Sequence, residues 1–391
     1  NNVLIKFFSK DGIFIVHFLL LTLTSFYLFL ISQELFPKLK KNEIKIIWFA
    51  IFIFIFHENS FFSGVAGQSS IDAGYQPASF SILFFIGIYF FLIDKNYLSI
   101  LFICLGASFH PTYVLHSGFL VLGILFYNLL SKKYLDCLKI IICYSLLILP
   151  ITIFIILNFF TIDKNLILIG QEILLERIPH HANIYYWLTY KDIFSLLIYF
   201  YALYLIRFNN RFFIFFTIFG LCPISLSLTQ YFININSLAL AFPWRSSVFI
   251  NPISTIIILS YFVEKIKLEG FRLKIISYFL IILIGTVFFT KSHYIKDENN
   301  EFKNKLILTE KIKKNFNLIE RILIPTNLDY IRMNSGLPIF IDWKHHAFRY
   351  DQIIKWKQRL NLADDFYNSK SENEKLLILE KIKYIENISH I

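Results

Sequence analysis

Leu138–Phe160 reads LKIIICYSLLILPITIFIILNFF, 23 residues with a single charge, Lys139. About 20 predominantly apolar residues span the hydrocarbon core of a bilayer as one helix, and a water-soluble fold has no use for so long an uninterrupted run. The next thirty residues are its opposite. They carry Asp163, Lys164, Glu172 and then Glu176-Arg177-Ile178-Pro179-His180-His181, followed by Asn183, Tyr185, Tyr186 and Trp187. An apolar run closed by a polar, aromatic-rich insert is the unit from which most of the chain is built.

Working outward, comparable runs fall at Ile13–Ser32, Ile44–Phe56, Pro77–Ile93, Leu98–Phe109, Pro111–Leu130, Ile193–Ile206, Phe212–Leu228, Leu238–Val263 and Ile275–Thr290. Composition agrees: 56% of the 391 residues are hydrophobic and only 17% charged, more apolar and less charged than soluble domains require. The pattern predicts an all-α polytopic membrane bundle of about ten transmembrane helices over residues 1–290. The polar remainder, 291–391, reads as a small C-terminal α/β extramembrane domain. Its helices are expected at Glu301–Phe316, Tyr350–Leu360 and Glu374–Ile385, and its strands at Ile319–Ile324 and Pro338–Asp342.

Charge orients the bundle. Lys38, Lys40 and Lys41, then Lys95, then Lys132, Lys133 and Lys139, then Arg207 and Arg211, then Lys265, Lys267, Arg272 and Lys274 occupy every second connection. Basic connections stay cytoplasmic, which puts 57–76, His110, 161–191, 230–237 and the tail on the outer face. The net charge of +11 is thus spread over loops and tail, not gathered into a nucleic-acid footprint. The four cysteines (Cys104, Cys137, Cys143, Cys222) lie in or beside apolar runs, which supports neither a disulfide framework nor a cysteine zinc site. Heavy use of Ile, Phe, Lys and Asn points to an AT-rich bacterial genome, hence to an inner (plasma) membrane. The chain opens at Asn1 on the outer side, so one preceding helix and its outer loop are expected before it. A further strand is expected after Ile391.

The outer connections hold the candidate chemistry. His57, Glu58 and Asp72 belong to a loop that also contains Gly64, Gly67 and Gln68 but no Lys or Arg. Ionisable groups at membrane depth are expensive, and Glu58 or Asp72 reads as a general base, as a metal ligand, or as part of a solvated loop. His110-Pro111-Thr112-Tyr113, with His116 beyond it, is a polar break between two apolar runs, either a tight turn capped by Thr112 or a ligand contact. Arg177 with His180 and His181 suits contact with a phosphate or a sugar better than a metal, because neighbouring histidines on an extended segment point apart. Arg245, in Pro243-Trp244-Arg245-Ser246-Ser247, either faces a cavity and pairs with an anion or snorkels to the headgroups. In the tail, Arg332 and Phe340-Ile341-Asp342-Trp343-Lys344-His345-His346 place Asp342 and Lys344 at the end of an expected strand, where binding residues often lie. No nucleotide-binding or hydrolase signature is present.

Many apolar spans, polar outer loops and a small outer tail resemble the GT-C-type membrane glycosyltransferases. Arg177-Ile178-Pro179-His180-His181, His110-Pro111-Thr112 and Arg332 with Phe340–Lys344 look like an uncharacterised bacterial branch of that superfamily. The resemblance implies transfer of a sugar from a polyprenyl-phosphate donor to an outward-facing glycan, lipid or protein acceptor. It also implies an acidic catalytic residue in the first outer loop, acting as base or as ligand of a divalent metal such as Mg or Mn. That loop would precede Asn1, so Asp72 and Glu58 stand as substitute candidates, with His57, His110, Arg177, His180, His181, Arg245, Asp342 and Lys344 as substrate contacts. Two other readings compete: a transporter or flippase for a lipid-linked glycan, and a non-enzymatic envelope assembly factor. Transporters often carry internal repeats, and none is evident here.

Overall fold

The computed structural model describes residues 11–41, 63–70, 77–160, 162–265, 299–316 and 321–385, with single positions at Lys45, Trp48, Phe49, Phe52, Ile275 and Phe279. Thus His57, Glu58 and Asp72 lie outside the described residues, as do most of the runs Ile44–Phe56 and Ile275–Thr290. The chain divides into two compact units, one of residues 1–156 and 178–287, the other of 157–177 and 288–391.

The first unit is a helical bundle. Its described helices are α1 (Asp11–Leu35), α2 (Ile82–Leu92), α3 (Asn96–Phe109), α4 (Tyr113–Leu130), α5 (Tyr134–Ile155), α7 (Tyr190–Ile206), α8 (Asn210–Ile233) and α9 (Ser247–Lys265). Five stretches are long and apolar enough to cross a membrane: Ile15–Leu35, Tyr113–Leu130, Tyr134–Phe160, Asn210–Ile233 and Asn236–Lys265. Ala78–Leu92 and Asn96–Phe109 are shorter apolar helices. The protein is therefore a helical membrane protein, and the expected count of about ten spans is not reached among the described residues.

Packing follows from side-chain size. Facing lipid, helices gain no hydrophobic drive from meeting one another, so close approach at small residues supplies the contact. Gly123 of α4 lets Phe215 of α8 come so near that an added Cβ would lie 2.8 Å from its carbonyl oxygen. Gly220 makes room in the same way for the Tyr199 ring. Phe84, Phe85, Phe91, Phe212, Phe216 and Phe249 fill the interior. Apolar surface left outside faces the same way as lipid would: Leu138, Leu146 and Phe154 of α5 are all exposed. Helix starts are fixed locally. Thr189 and Asp192 form a capping box on α7, and Asn209 accepts from Phe212 N at the start of α8.

The run expected as one span from Leu238 to Val263 is broken. A short turn at Asn236–Leu240 ends in Phe242, whose φ of 49° is left-handed, and Pro243 then opens a one-turn 3-10 segment, Pro243–Ser246, leading into α9. Irregular backbone at membrane depth persists where it lines a protein cavity, and Arg245 sits in this break.

The second unit is also helical, with α6 (Lys164–Arg177), α10 (Asn299–Asn315), α11 (Asp329–Ser335), α12 (Tyr350–Asn368) and α13 (Glu372–Ile385). Three of these match expected tail helices, and α12 runs past Leu360 to Asn368. The expected α/β character does not appear: no strand forms among the described residues. The two expected strands reduce to one parallel bridge, Ile322 with Ile339, through Ile322 N→Pro338 O at 3.0 Å and Phe340 N→Ile322 O at 2.9 Å. Pro325 and Pro338 bound the pair, and a residue without an N–H cannot extend a ladder. A second correction concerns 161–191, expected as an outer loop. Most of it is helical, because α6 packs on α12 with Gly170 against Tyr350.

Candidate functional site

The first unit brings three distant segments, 63–69, 110–116 and 180–181, together at the turn that carries Arg245. The nearest is a small hairpin, Ser63–Ser69, closed by an antiparallel bridge between its ends. Its two central residues, Ala66 and Gly67, have φ of 59° and 62°, as the tightest hairpin turns demand. The hairpin docks on the first turn of α9: Val65 N donates to Ser247 Oγ at 2.8 Å, and Asn251 Nδ2 to Ser63 O at 3.2 Å. Gly64 is required there, since a Cβ would meet Ser247 Oγ at 2.2 Å.

So placed, Gln68 accepts from Arg245 Nε at 2.7 Å. Arg245 Nη1 donates to Thr112 Oγ1 at 2.8 Å and lies 3.5 Å from His110 Nε2. Arginine can only donate, so His110 Nε2 is the accepting nitrogen and the ring proton sits on Nδ1, which donates to Thr112 Oγ1 at 2.9 Å. Burial and then the adjacent guanidinium push the His110 pKa down to about 3, which keeps the ring neutral. Thr112 thus accepts twice and retains its own proton to give. It begins α4 without capping it, in place of the expected capping role. The Nη2 group of Arg245 makes no hydrogen bond among the described residues.

Behind this layer, His116 Nδ1 meets Ser246 Oγ at 2.7 Å, both groups fully buried, which pins the Pro243–Ser246 turn to α4. His181 Nδ1 lies 2.7 Å from Ala66 O and 2.8 Å from Gln68 Nε2. Gln68 gives its oxygen to Arg245, so only its amino group can face the ring. His180 and His181 do not lie on an extended segment as expected. Pro179 opens a one-turn helix, Pro179–Ala182, and the two rings are 4.1 Å apart. His180 remains exposed.

The decisive property is electrostatic. Among the described residues no carboxylate pairs with Arg245; its partners are an amide, a hydroxyl and a neutral imidazole. A largely desolvated charge held by neutral groups is retained at a cost of several kcal/mol, which an anionic ligand would offset. The start of α9 adds the positive end of a helix dipole to the same place. Arg245 is therefore turned inward and does not snorkel.

The remaining expected contacts belong to the second unit. Arg177 donates from Nε to Trp343 O at 3.0 Å and lies 4.7 Å from that ring's centroid. Asp342 is fully buried; its Oδ1 accepts from Lys344 N, His345 N and His345 Nδ1, and its Oδ2 from Arg332 at 3.2 Å. Burial alone raises this carboxyl, but the His345 and Arg332 bonds outweigh it and hold the pKa below the usual carboxylate range. Lys344 Nζ lies 3.7 Å from Asp329. Asp342 thus fastens its loop, and its oxygens are occupied doing so. No group of three His, Cys, Asp or Glu side chains among the described residues could hold a metal ion.

Gln68, Thr112, His116, Ser246 and Ser247 are absent from the expected contact set. The signals for them are faint: Gly64 and Gly67 mark a tight turn near Gln68, and Pro243 marks the helix break before Ser246. No family model, curated protein or solved structure matches the chain.

Proposed function

We propose that this protein is a GT-C-type glycosyltransferase of the bacterial inner membrane, with about ten spans and its tail outside. It moves a sugar from a polyprenyl-phosphate donor to a glycan, lipid or protein acceptor at the outer face. The observation that carries the reading is Arg245, an inward-turned cation with neutral partners at a break between apolar helices. A lipid phosphate is an anion that lives at this depth. In this role Arg245 Nη2 and the Thr112 hydroxyl donate to the phosphate, while Gln68 and His110 hold the guanidinium in place.

In the transfer, an acceptor hydroxyl oxygen forms a bond to the anomeric carbon, and the bond from that carbon to the phosphate oxygen breaks. The phosphate leaves with the electron pair, and a base takes the hydroxyl proton. Arg245 stabilises the charge that grows on the leaving phosphate. Glu58 and Asp72 are the candidate bases, and a divalent metal held by them would assist departure of the same phosphate.

The test is sugar transfer in membranes carrying the full chain, supplied with a radiolabelled sugar on a short polyprenyl phosphate. Arg245→Gln should abolish transfer while the protein accumulates normally. Transfer by Arg245→Gln at the wild-type rate would end this reading, as would full activity in the double variant Glu58→Gln, Asp72→Asn.

A further inference from the structure

A second feature of the first unit adjoins Arg245 without belonging to its polar cage. α8 packs chiefly on α4, and α7 chiefly on α9, so α7 and α8 leave a gap between them. The gap is a groove of about 350 Å³. Ile193 and Leu196 of α7 and Ile224 and Leu228 of α8 form its sides. Pro223 lies in the same wall, where α8 lacks one backbone N–H. At one end the groove is bounded by Trp187, Trp244, Ser247 and Val65. Trp244 and Ser247 flank Arg245 in the chain, and Val65 belongs to the hairpin that carries Gln68. The groove therefore shares Trp244, Ser247 and Val65 with the segments that position Arg245, while the guanidinium itself is not part of its lining.

Two polar groups at that end have no partner among the described residues. The indole N–H groups of Trp187 and Trp244 are buried without an acceptor among the described residues, and their rings are 5.2 Å apart. Buried donors left unsatisfied cost about 1–3 kcal/mol each, and tryptophans in cores normally find an acceptor. The one carboxylate in the lining, Asp192, is already held in the α7 capping box. An occupant must then be apolar along most of its length and carry oxygen acceptors at one end.

We propose that this groove binds the hydrocarbon chain of a phospholipid-type ligand, entering from the bilayer. Its phosphate-side oxygens accept from Trp187 and Trp244, and its chain lies between α7 and α8. The identity of the chain as the prenyl tail of the sugar donor rests on the function proposed above; the groove as a lipid-chain site does not.

The full chain in lipid nanodiscs, incubated with farnesyl phosphate carrying a photoactivatable diazirine at the tail end, tests this by mass-spectrometric mapping of the labelled peptides. Label should concentrate on 190–206 and 223–233 and fall at least tenfold with excess unlabelled farnesyl phosphate. Ile224→Trp, which fills the groove, should remove that label. Trp187→Phe, which keeps the ring and removes the N–H, should weaken capture of farnesyl phosphate severalfold while leaving capture of tail-labelled farnesol unchanged. Label spread evenly over lipid-facing helices such as α5, or undiminished in Ile224→Trp, would overturn the proposal. The two readings separate cleanly. Groove labelling that is equal for farnesol and farnesyl phosphate and indifferent to Arg245→Gln leaves the groove standing and removes the phosphate site. Arg245-dependent binding without label in the groove does the reverse.

Discussion

Two arginines stand toward opposite ends of helix α4, and they are held in opposite ways. Arg245, near Thr112 and Tyr113, has an amide, a hydroxyl and a neutral histidine for company. Arg211, at the Tyr127 end, pairs with Asp94, reaches Asn96 Oδ1 at 3.3 Å, and lies over the Phe91 and Tyr127 rings at 4.4 and 5.3 Å. Fourteen residue steps of helix, from Tyr113 to Tyr127, separate these ends by roughly 21 Å. Both side chains are mostly withdrawn from solvent, so both have given up hydration. Arg211 has recovered it within the protein through a counter-charge as well as those two aromatic faces. Arg245 also lies over two rings, Phe242 at 5.6 Å and Tyr113 at 6.0 Å, but has no carboxylate partner among the described residues. A cation that is fully compensated has a structural task; one held in place by neutral groups keeps its charge available to a ligand.

Substitution at these two positions gives the largest expected contrast. Arg245→Gln should lower affinity for a phosphate lipid by about 10- to 100-fold, the range for a lost charge-assisted hydrogen bond, and should leave the melting temperature unchanged or higher. Arg211→Gln should leave that affinity intact and lower stability by about 1–2 kcal/mol, since Asp94 is exposed and the ring contacts contribute most. Lipid-binding assays and thermal unfolding of the same preparations check both halves.

Gly64→Ala should come next. Its Cβ would collide with Ser247 and Val248 and displace the hairpin, withdrawing Gln68 from Arg245. Phosphate-lipid affinity should fall about tenfold, in the range expected for one hydrogen bond to a charged group. A matching change at Gly336, where φ is 71° but no atom lies within 4 Å of an added Cβ, should affect only local stability of the second unit.

pH sharpens the comparison further. His110 titrates at about 6.5 unfolded and about 3 in the fold. Its neutral form is the one the fold accepts, so its contribution is intact above pH 6.5 and is lost progressively as pH falls toward 3. The difference in melting temperature between wild type and His110→Gln should therefore shift against the wild type across that window, and stay constant above it. The smallest effect on ligand binding should come from Asp342→Asn. It should loosen the loop around Trp343, seen as faster proteolysis there, without changing phosphate-lipid affinity.

Much of the fold was legible because membrane helices announce themselves through long apolar runs. Leu138–Phe160 could hardly be anything else. The break before Arg245 was less visible: Pro243 lies inside an apolar run, and proline is tolerated within spans, as at Pro150 and Pro223. The charges in 164–177 made α6 look like a loop, although its apolar residues pack on α12. The two tail strands have the right residue types, but their bounding prolines restrict them to a single bridge. In the site, Arg245 and His110 stood out because ionisable groups are rare in apolar sequence. Gln68 and Thr112 did not, because a neutral residue in a turn gains meaning only from what it touches. Here each touches a group at least 130 residues away in sequence.

The most direct measurement is equilibrium binding of farnesyl phosphate, against farnesol, to wild type, Arg245→Gln and Arg211→Gln in nanodiscs. We expect wild type and Arg211→Gln to prefer the phosphate equally, and Arg245→Gln to lose that preference by about tenfold or more. Equal preference in all three proteins would contradict the assignment of Arg245 as the anion site.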